Sequence, residues 1–307
     1  MSARFARGEA VRSVATAGLR ALGARSRWEM TVDGMIHAFE MGSERDRVPI
    51  VFLHGLSGDT EGAAAMAATV AGRRRCLVPD AFDLAPRSRT DRQRSLGPRA
   101  QGSVLFRWLA AVGCDEVDIV GVSLGAWVGI WLATTQIRVR RMVLVSPAGS
   151  RVARARLREL ALAVAPRGGD ALIGRVFGPA TAAAISRWSS PFLRTAAIRG
   201  LIAEIDDGDF IEHALPSVSA RTFVLSGDCD EVVGSEPAQL IVDRVPTARG
   251  SWAAGQGHGL FYERAGLVYQ TLRRELGLEA SPHSVLGRTL AWATGSPALH
   301  PMHRRPT

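Results

Sequence analysis

Three short, glycine-flanked stretches of the chain hold a hydroxyl, an imidazole and carboxylates. Ser123 lies in a Gly-Val-Ser-Leu-Gly stretch at 121–125, Asp228 and Asp230 lie in a Gly-Asp-Cys-Asp stretch at 227–230, and His258 lies in a Gly-Gln-Gly-His-Gly stretch at 255–259. A serine hydroxyl is a weak nucleophile unless a neighbouring base accepts its proton, and a carboxylate can orient that base. These residue types therefore indicate nucleophilic catalysis by serine.

Ser123 lies where a strand pattern changes into a helix pattern. Residues 117–120 are a short, mostly β-branched run typical of a buried strand, and apolar residues at helical spacing begin at Leu124. A sharp turn between the two needs small flanking residues, here Gly121 and Gly125, and exposes the hydroxyl at the strand tip. We therefore predict Ser123 as the nucleophile; the alternative is an ordinary turn that happens to carry a serine.

His258 is the best candidate for the base among seven histidines. It lies in a Gly-rich loop between the last predicted strand and the helix that follows it. The alternative is a polar histidine at the surface. His37 lies in an early predicted strand, His213 in a helical segment and His54 in a separate loop. The C-terminal tail contains His283, His300 and His303.

The acid has two candidates in one loop, Asp228 and Asp230, with Glu231 a weaker third. The alternation of side-chain directions does not separate the two aspartates, because they are two residues apart. The residues alone leave both open. The aspartate that does not orient the base is expected to form the turn.

Strand and helix patterns alternate over residues 28–146 and again over 221–278. Such alternation implies right-handed βαβ crossovers, and it predicts an α/β fold with a doubly wound, mostly parallel sheet. Ligands bind at the carboxyl edge of the strands in such sheets.

The segments outside this core divide the rest of the chain. Residues 147–220 are helical in pattern, which predicts a helical cap inserted between strands, and a separate helical domain is the alternative. Residues 1–27 are predicted to be a basic N-terminal leader, and 279–307 a loosely ordered C-terminal tail.

The order of the motifs, serine then acid then histidine, resembles the α/β-hydrolase superfamily over about residues 28–278. The resemblance implies that the acid is Asp230, three residues after Gly227. It also implies an oxyanion hole formed by the backbone N–H groups of Leu56, which follows a His-Gly pair, and of Leu124.

Two departures from that superfamily leave the subfamily open. Val122 precedes the serine, where many members have histidine or an aromatic residue, and the loop after Asp80 lacks the common Gly-x-Gly-x-Ser run. The resemblance implies a serine hydrolase that acts on carboxylic esters without a cofactor or metal, and the apolar pattern of the predicted cap suggests a hydrophobic acyl or alcohol part. A carbon–carbon bond hydrolase, an aminopeptidase and a non-catalytic binding protein remain as alternatives.

Composition excludes several other classes of protein. The formal charge of +9 is concentrated at the ends, with +5 in residues 1–27 and +3 in 281–307, so the near-neutral body does not favour nucleic-acid binding. Three scattered cysteines predict neither disulfides nor a zinc site and suit a reducing cytoplasm.

No transmembrane segment or secretory signal is predicted. Contact of the leader with a membrane surface is less favoured than a frayed leader, and the oligomeric state stays open.

Overall fold

One mixed β-sheet forms the centre of the fold. The structure is a computed structural model that describes residues 13–43, 46–56, 60–72, 74–80, 87–90, 97–156, 159, 174, 195–278 and 297–305. Within these ranges the strands are β1 (Arg25–Thr31), β2 (Gly34–Met41), β3 (Asp46–Leu53), β4 (Arg74–Pro79), β5 (Arg89–Thr90), β6 (Glu116–Val122), β7 (Arg138–Val145), β8 (Arg221–Gly227), β9 (Arg249–Ala253) and β10 (Leu299–Pro301).

The order of the strands is β1-β2-β4-β3-β6-β7-β8-β9-β10, with β5 paired to β2. The run from β4 to β9 is parallel, whereas β1, β2 and β10 pair antiparallel at the two sides. The register aligns the carboxyl ends, with Leu53 opposite Gly121, Val122 opposite Val145 and Gly227 opposite Ala253. The loops that follow β3, β6, β8 and β9 therefore leave the sheet at one edge.

Helices cover both faces of the sheet. Among the described residues the α-helices are α1 (13–21), α2 (Thr60–Val70), α3 (Pro98–Ala111), α4 (Leu124–Leu132), α5 (Thr195–Glu204), α6 (Glu236–Arg244), α7 (Leu260–Glu263) and α8 (Ala265–Leu276). One apolar cluster buries residues of α3, α4 and α6 against one face, and a second cluster buries residues of α2, α7 and α8 against the other. This arrangement confirms the predicted doubly wound, mostly parallel sheet.

The described part of the N-terminal leader packs on the body. Residues 13–21 are helical, Leu19 and Ala24 are buried, and β1 begins at Arg25. Pairing with β2 extends the strand back to Arg25, inside the predicted leader of residues 1–27. Residues 1–12 lie outside the described residues, so membrane contact stays a prediction. Among the described residues, no helix is long and apolar enough to span a bilayer.

The described part of the C-terminal tail departs from the expectation of loose order. Residues 297–305, called the C-terminal strap below, contain β10, which pairs antiparallel with β9. Met302 of the strap is buried in the apolar core. Pairing with β9 thus orders a segment whose composition, rich in Pro, His and Arg, predicted loose order. Residues 279–296 lie outside the described ranges.

The insertion after β7 is described only at its two ends, 147–156 and 195–220, apart from residues 159 and 174. The ends are tied together by a hydrogen bond from the N–H of Ile211 to the carbonyl of Gly149, at 3.0 Å. The indole N–H groups of Trp127 and Trp131 in α4 both donate to the carbonyl of Asp209, each at 2.6 Å. Its predicted role as a cap stays a prediction.

Candidate active site

Ser123 forms the turn between β6 and α4 in a backbone conformation that few side chains adopt. Its φ is 52° and its ψ is −113°, and α4 starts at the next residue. A Cβ on Gly125 would lie 2.1 Å from the carbonyl oxygen of Leu53, and one on Gly121 would lie 2.6 Å from the Cα of Ala126. Both contacts are to backbone, so only glycine fits on either side of the serine. Strain of this kind is often found at functional residues.

The backbone around Ser123 is held by three elements. Its N–H donates to the carbonyl of Val145 in β7, at 3.0 Å. Its own carbonyl accepts from the N–H groups of Ala126 and Trp127 in α4, and from that of Ala148 in the insertion, at 3.1, 3.2 and 3.3 Å. The hydroxyl is thus attached to a backbone with little freedom to move.

His258 links the serine to a carboxylate. Its Nε2 lies 2.9 Å from Oγ of Ser123, and its Nδ1 lies 2.7 Å from Oδ2 of Asp230. An ionised carboxylate only accepts hydrogen bonds, so the neutral imidazole carries its proton on Nδ1. The unprotonated Nε2 then faces the serine hydroxyl and can accept its proton.

Asp230 is buried, and both of its carboxylate oxygens accept hydrogen bonds. Its Oδ1 accepts the N–H groups of Val232 and Val233 at 2.9 and 3.1 Å, and its Oδ2 faces His258. Burial by itself would raise the pKa of Asp230. The electrostatic interaction with His258 and the hydrogen bonds from that ring and the two backbone groups outweigh burial and leave the pKa of Asp230 below its usual value. The carboxylate therefore stays ionised beside the imidazole.

The other two acid candidates have different surroundings. Asp228 is exposed, and its Oδ1 accepts the N–H of Gly255 at 2.7 Å. Glu231 is exposed as well. The geometry therefore brings Ser123, His258 and Asp230 together, whereas Asp228 joins the acid loop to the histidine loop as a turn-forming residue would.

The two predicted oxyanion donors are the residue after Ser123 and the residue after Gly55, whose backbone passes close to Ser123. Leu124 is the first residue of α4, so its N–H has no acceptor inside the helix. The loop that leads to Leu56 passes close to the turn, because a Cβ on Gly55 would be 3.5 Å from Cβ of Ser123. His54 is buried, and its Nδ1 lies 2.9 Å from the carbonyl oxygen of Gly55. Their role as oxyanion donors stays a prediction.

An ion-pair network around the buried Asp80, next to this loop, was missed by the sequence analysis. Asp80, directly after β4, is bonded by Arg87 at 3.0 and 2.9 Å, and Nη1 of Arg87 reaches Glu61 in the first turn of α2 at 2.7 Å. Nδ1 of His37 lies 3.4 Å from Asp80. Burial would raise the pKa of Asp80, but the hydrogen bond from His37 and the charge of Arg87 hold it far below its usual value. An aspartate directly after a buried strand is the one sequence signal that could have indicated this network.

No site for a metal ion accompanies these residues in the described ranges, where no three His, Cys, Asp or Glu side chains are grouped to bind one.

Several solved structures share this fold. The chain matches a membrane phospholipase A, described as a novel bacterial virulence factor, with 20% identity and a TM-score of 0.74 over 89% of this chain and 92% of the other. It matches naproxen esterase (carboxylesterase NP) from Bacillus subtilis with 18% identity and a TM-score of 0.67 over 89% and 98%. It matches a thermophilic esterase from Thermogutta terrifontis with 21% identity and a TM-score of 0.64 over 83% and 98%.

Sequence comparison supplies the family. No curated protein sequence matches the chain. The model of the alpha/beta hydrolase family matches residues 50–271, which include the serine, acid and histidine motifs and most of the chain. This chain therefore belongs to the alpha/beta hydrolase family.

Proposed function

We propose that this chain is a serine hydrolase that acts on carboxylic esters through an acyl-enzyme. The observation that carries the proposal is the hydrogen-bonded series of Ser123, His258 and Asp230, with distances of 2.9 and 2.7 Å. A nucleophile, a base and a group that orients the base are the three parts that acyl transfer by serine requires. The strained backbone of Ser123 adds support, since it holds the hydroxyl at the strand tip.

The proposed reaction begins with the attack of Ser123 Oγ on the acyl carbonyl carbon. Nε2 of His258 accepts the hydroxyl proton, and the N–H groups of Leu56 and Leu124 stabilise the oxyanion of the tetrahedral intermediate. His258 then donates that proton to the leaving alcohol, which leaves the acyl group esterified to Ser123. Asp230 stabilises the imidazolium while it exists.

Water completes the proposed cycle. His258 accepts a proton from a water molecule as the water attacks the acyl-enzyme, and it returns the proton to Ser123 when the second tetrahedral intermediate collapses. The products are a carboxylic acid and the free serine. One ester bond is broken and one water molecule is consumed in each turnover.

A hydrophobic ester is the favoured substrate class. Two observations support it: the apolar pattern of the insertion, and the esterases and phospholipase that share the fold. At about 20% identity those neighbours support a hydrolase of this fold rather than one particular ester.

A fluorophosphonate probe and a panel of chromogenic esters test the proposal. We expect the probe to label Ser123, and we expect Ser123→Ala to lower the kcat for esters by roughly 10³-fold or more. The matched control is Ser219→Ala, because Ser219 is exposed and precedes β8 at the opposite edge of the sheet.

Each other outcome selects an alternative. Labelling of Ser123 without turnover of any ester would favour carbon–carbon bond hydrolysis or aminopeptidase activity, to be assayed with diketones and aminoacyl amides. Neither labelling nor turnover would contradict the serine hydrolase and favour a non-catalytic binding protein.

A further inference from the structure

The loop that carries His258 extends from the last parallel strand of the sheet. β9 has β8 as its parallel neighbour, and β9 is followed at once by residues 254–259. A strand with a neighbour on one side only opens more readily than a central strand. The other side of β9 is covered by the C-terminal strap, residues 297–305.

The strap bonds the half of β9 nearest to His258. Leu299 pairs with Ala253 and Pro301 with Ser251, and the N–H of Ala254 donates to the carbonyl of Ala298 at 2.9 Å. Ala254 lies only four residues before His258. Pairing with the strap therefore continues past the end of β9 into the loop itself.

The strap is anchored by its own side chains. Met302 is buried and packs over Gly250, where a Cβ would lie 2.5 Å from Sδ of the methionine. Nη2 of Arg304 donates to the carbonyls of Val245 and Pro246 just after α6, both at 2.7 Å. A cation bonded to the carbonyls at a helix C-terminus is favourably placed.

The opposite side of the histidine loop is bonded to the acid loop. The N–H of Cys229 donates to the carbonyl of Gln256 at 3.0 Å, and Asp228 accepts the N–H of Gly255 at 2.7 Å. The His258 loop is thus held between the acid loop on one side and the strap on the other.

We propose that the C-terminal strap is a positioning element that keeps the His258 loop in register with Ser123 and Asp230. The strap lies outside residues 50–271, so the match to the family does not account for it. This inference rests on the proposed function for its effect on rate, but not for its effect on the structure of the loop. A displacement of about 1 Å in a reacting group can cost roughly 10²-fold in rate.

The test compares the full chain with a chain that ends at Ser296. Hydrogen exchange measured by mass spectrometry on peptides that cover 250–262 reports the loop, and kcat and KM for an ester of the panel report the chemistry. We expect faster exchange at 254–259 and a kcat lowered by about tenfold or more, with little change in KM.

A matched pair of point variants keeps the test valid if the shortened chain does not fold. Arg304→Ala removes the bonds to the carbonyls after α6, whereas Arg305→Ala removes the same charge but keeps its backbone N–H, which donates to Asp243 at 2.8 Å. We expect Arg304→Ala to speed exchange of the loop and to lower kcat, and Arg305→Ala to do neither.

Two results separate this inference from the proposed function. The role of the strap would be overturned, with the hydrolase left intact, by unchanged exchange at 254–259 in both the shortened chain and Arg304→Ala. It would also be overturned by faster exchange at 254–259 with a kcat within about twofold of that of the full chain. A full chain that neither labels nor turns over esters would overturn the hydrolase, and the exchange measurement would still decide whether the strap orders the loop.

Discussion

Replacing Asp230 by asparagine removes the charge beside His258 and keeps the size of the side chain. Oδ1 of Asp230 accepts two backbone N–H groups, from Val232 and Val233, and Oδ2 accepts Nδ1–H of His258 at 2.7 Å. The two backbone donors need an acceptor, so the amide oxygen of the asparagine must face them. Its NH₂ group is then turned toward His258, where the aspartate had an acceptor.

That exchange of donor and acceptor changes the tautomer of the imidazole. Nδ1 has to accept from the amide, so the proton of the neutral ring moves to Nε2, which faces Ser123 at 2.9 Å. A protonated Nε2 cannot accept the serine proton. We expect kcat to fall by about 10⁴-fold, or roughly 5 kcal/mol of barrier, the loss typical of a wrong tautomer at such a site. KM should change little, because the carboxylate contacts the histidine rather than substrate.

The assay is steady-state hydrolysis, at pH 7, of the ester that the wild type cleaves fastest. Asp228→Asn is the matched control, since Asp228 is exposed and an asparagine can still accept the N–H of Gly255. We expect the control to stay within about threefold of the wild type, as exposed substitutions usually change free energies by less than roughly 0.5 kcal/mol. A kcat above a tenth of the wild-type value for Asp230→Asn, or an equal fall for Asp228→Asn, would refute the reasoning.

Three further predictions concern the buried Asp80 and the three cysteine thiols. Asp80→Asn should lower the free energy of unfolding at pH 7 by about 3 kcal/mol, against no change for the exposed Asp115→Asn. The pKa of Asp80 is lowered in the folded state, so its contribution to the free energy of unfolding is complete above the unfolded-state pKa of about 3.9 and is lost as the pH falls below that value. Urea titrations should therefore show a smaller difference in free energy of unfolding between the wild type and Asp80→Asn at pH 3 than at pH 7. An equal difference at the two pH values would contradict the prediction. Cys76 and Cys114 are both buried, and burial raises the pKa of Cys76 to about 12. Ellman's reagent should therefore titrate only the exposed Cys229 in the native chain, and all three thiols in denaturant. The hydrogen bond and charge of Asp228 raise the pKa of Cys229, so Asp228→Asn should speed that reaction at pH 8; a second native thiol, or no gain in rate, would count against this assignment.

Local patterns allowed much of the fold and part of the candidate site to be predicted. The alternation of strand and helix patterns is a property of near neighbours, and it led to the mostly parallel sheet. The turn at Ser123 could be predicted because its reason is local: Gly121 and Gly125 border a backbone with a φ of 52°. The order of the motifs placed the loops after parallel strands, whose carboxyl ends meet at one edge.

Tertiary contacts were needed where two local readings were equal. Asp228 and Asp230 lie in one loop and are two residues apart, so side-chain alternation does not distinguish them. The contact that distinguishes them is the one between Asp230 and His258, which lies 28 residues beyond Asp230 and 135 beyond Ser123. The start of β1 at Arg25 and the pairing of the C-terminal strap have the same cause. Edge strands form where a partner strand offers free N–H and C=O groups, and the tail alone carries no record of that partner.

The sequence by itself thus determined the elements and the kinds of side chain at the carboxyl edge of the sheet. The residues alone left two carboxylates open and the family resemblance selected Asp230, which the tertiary structure places beside the imidazole. Only the tertiary structure decided how Asp80 is paired in the interior. The physical reason is distance along the chain. Turns and periodicities depend on residues a few positions apart, whereas these hydrogen bonds form only after crossover connections bring remote loops to the same edge.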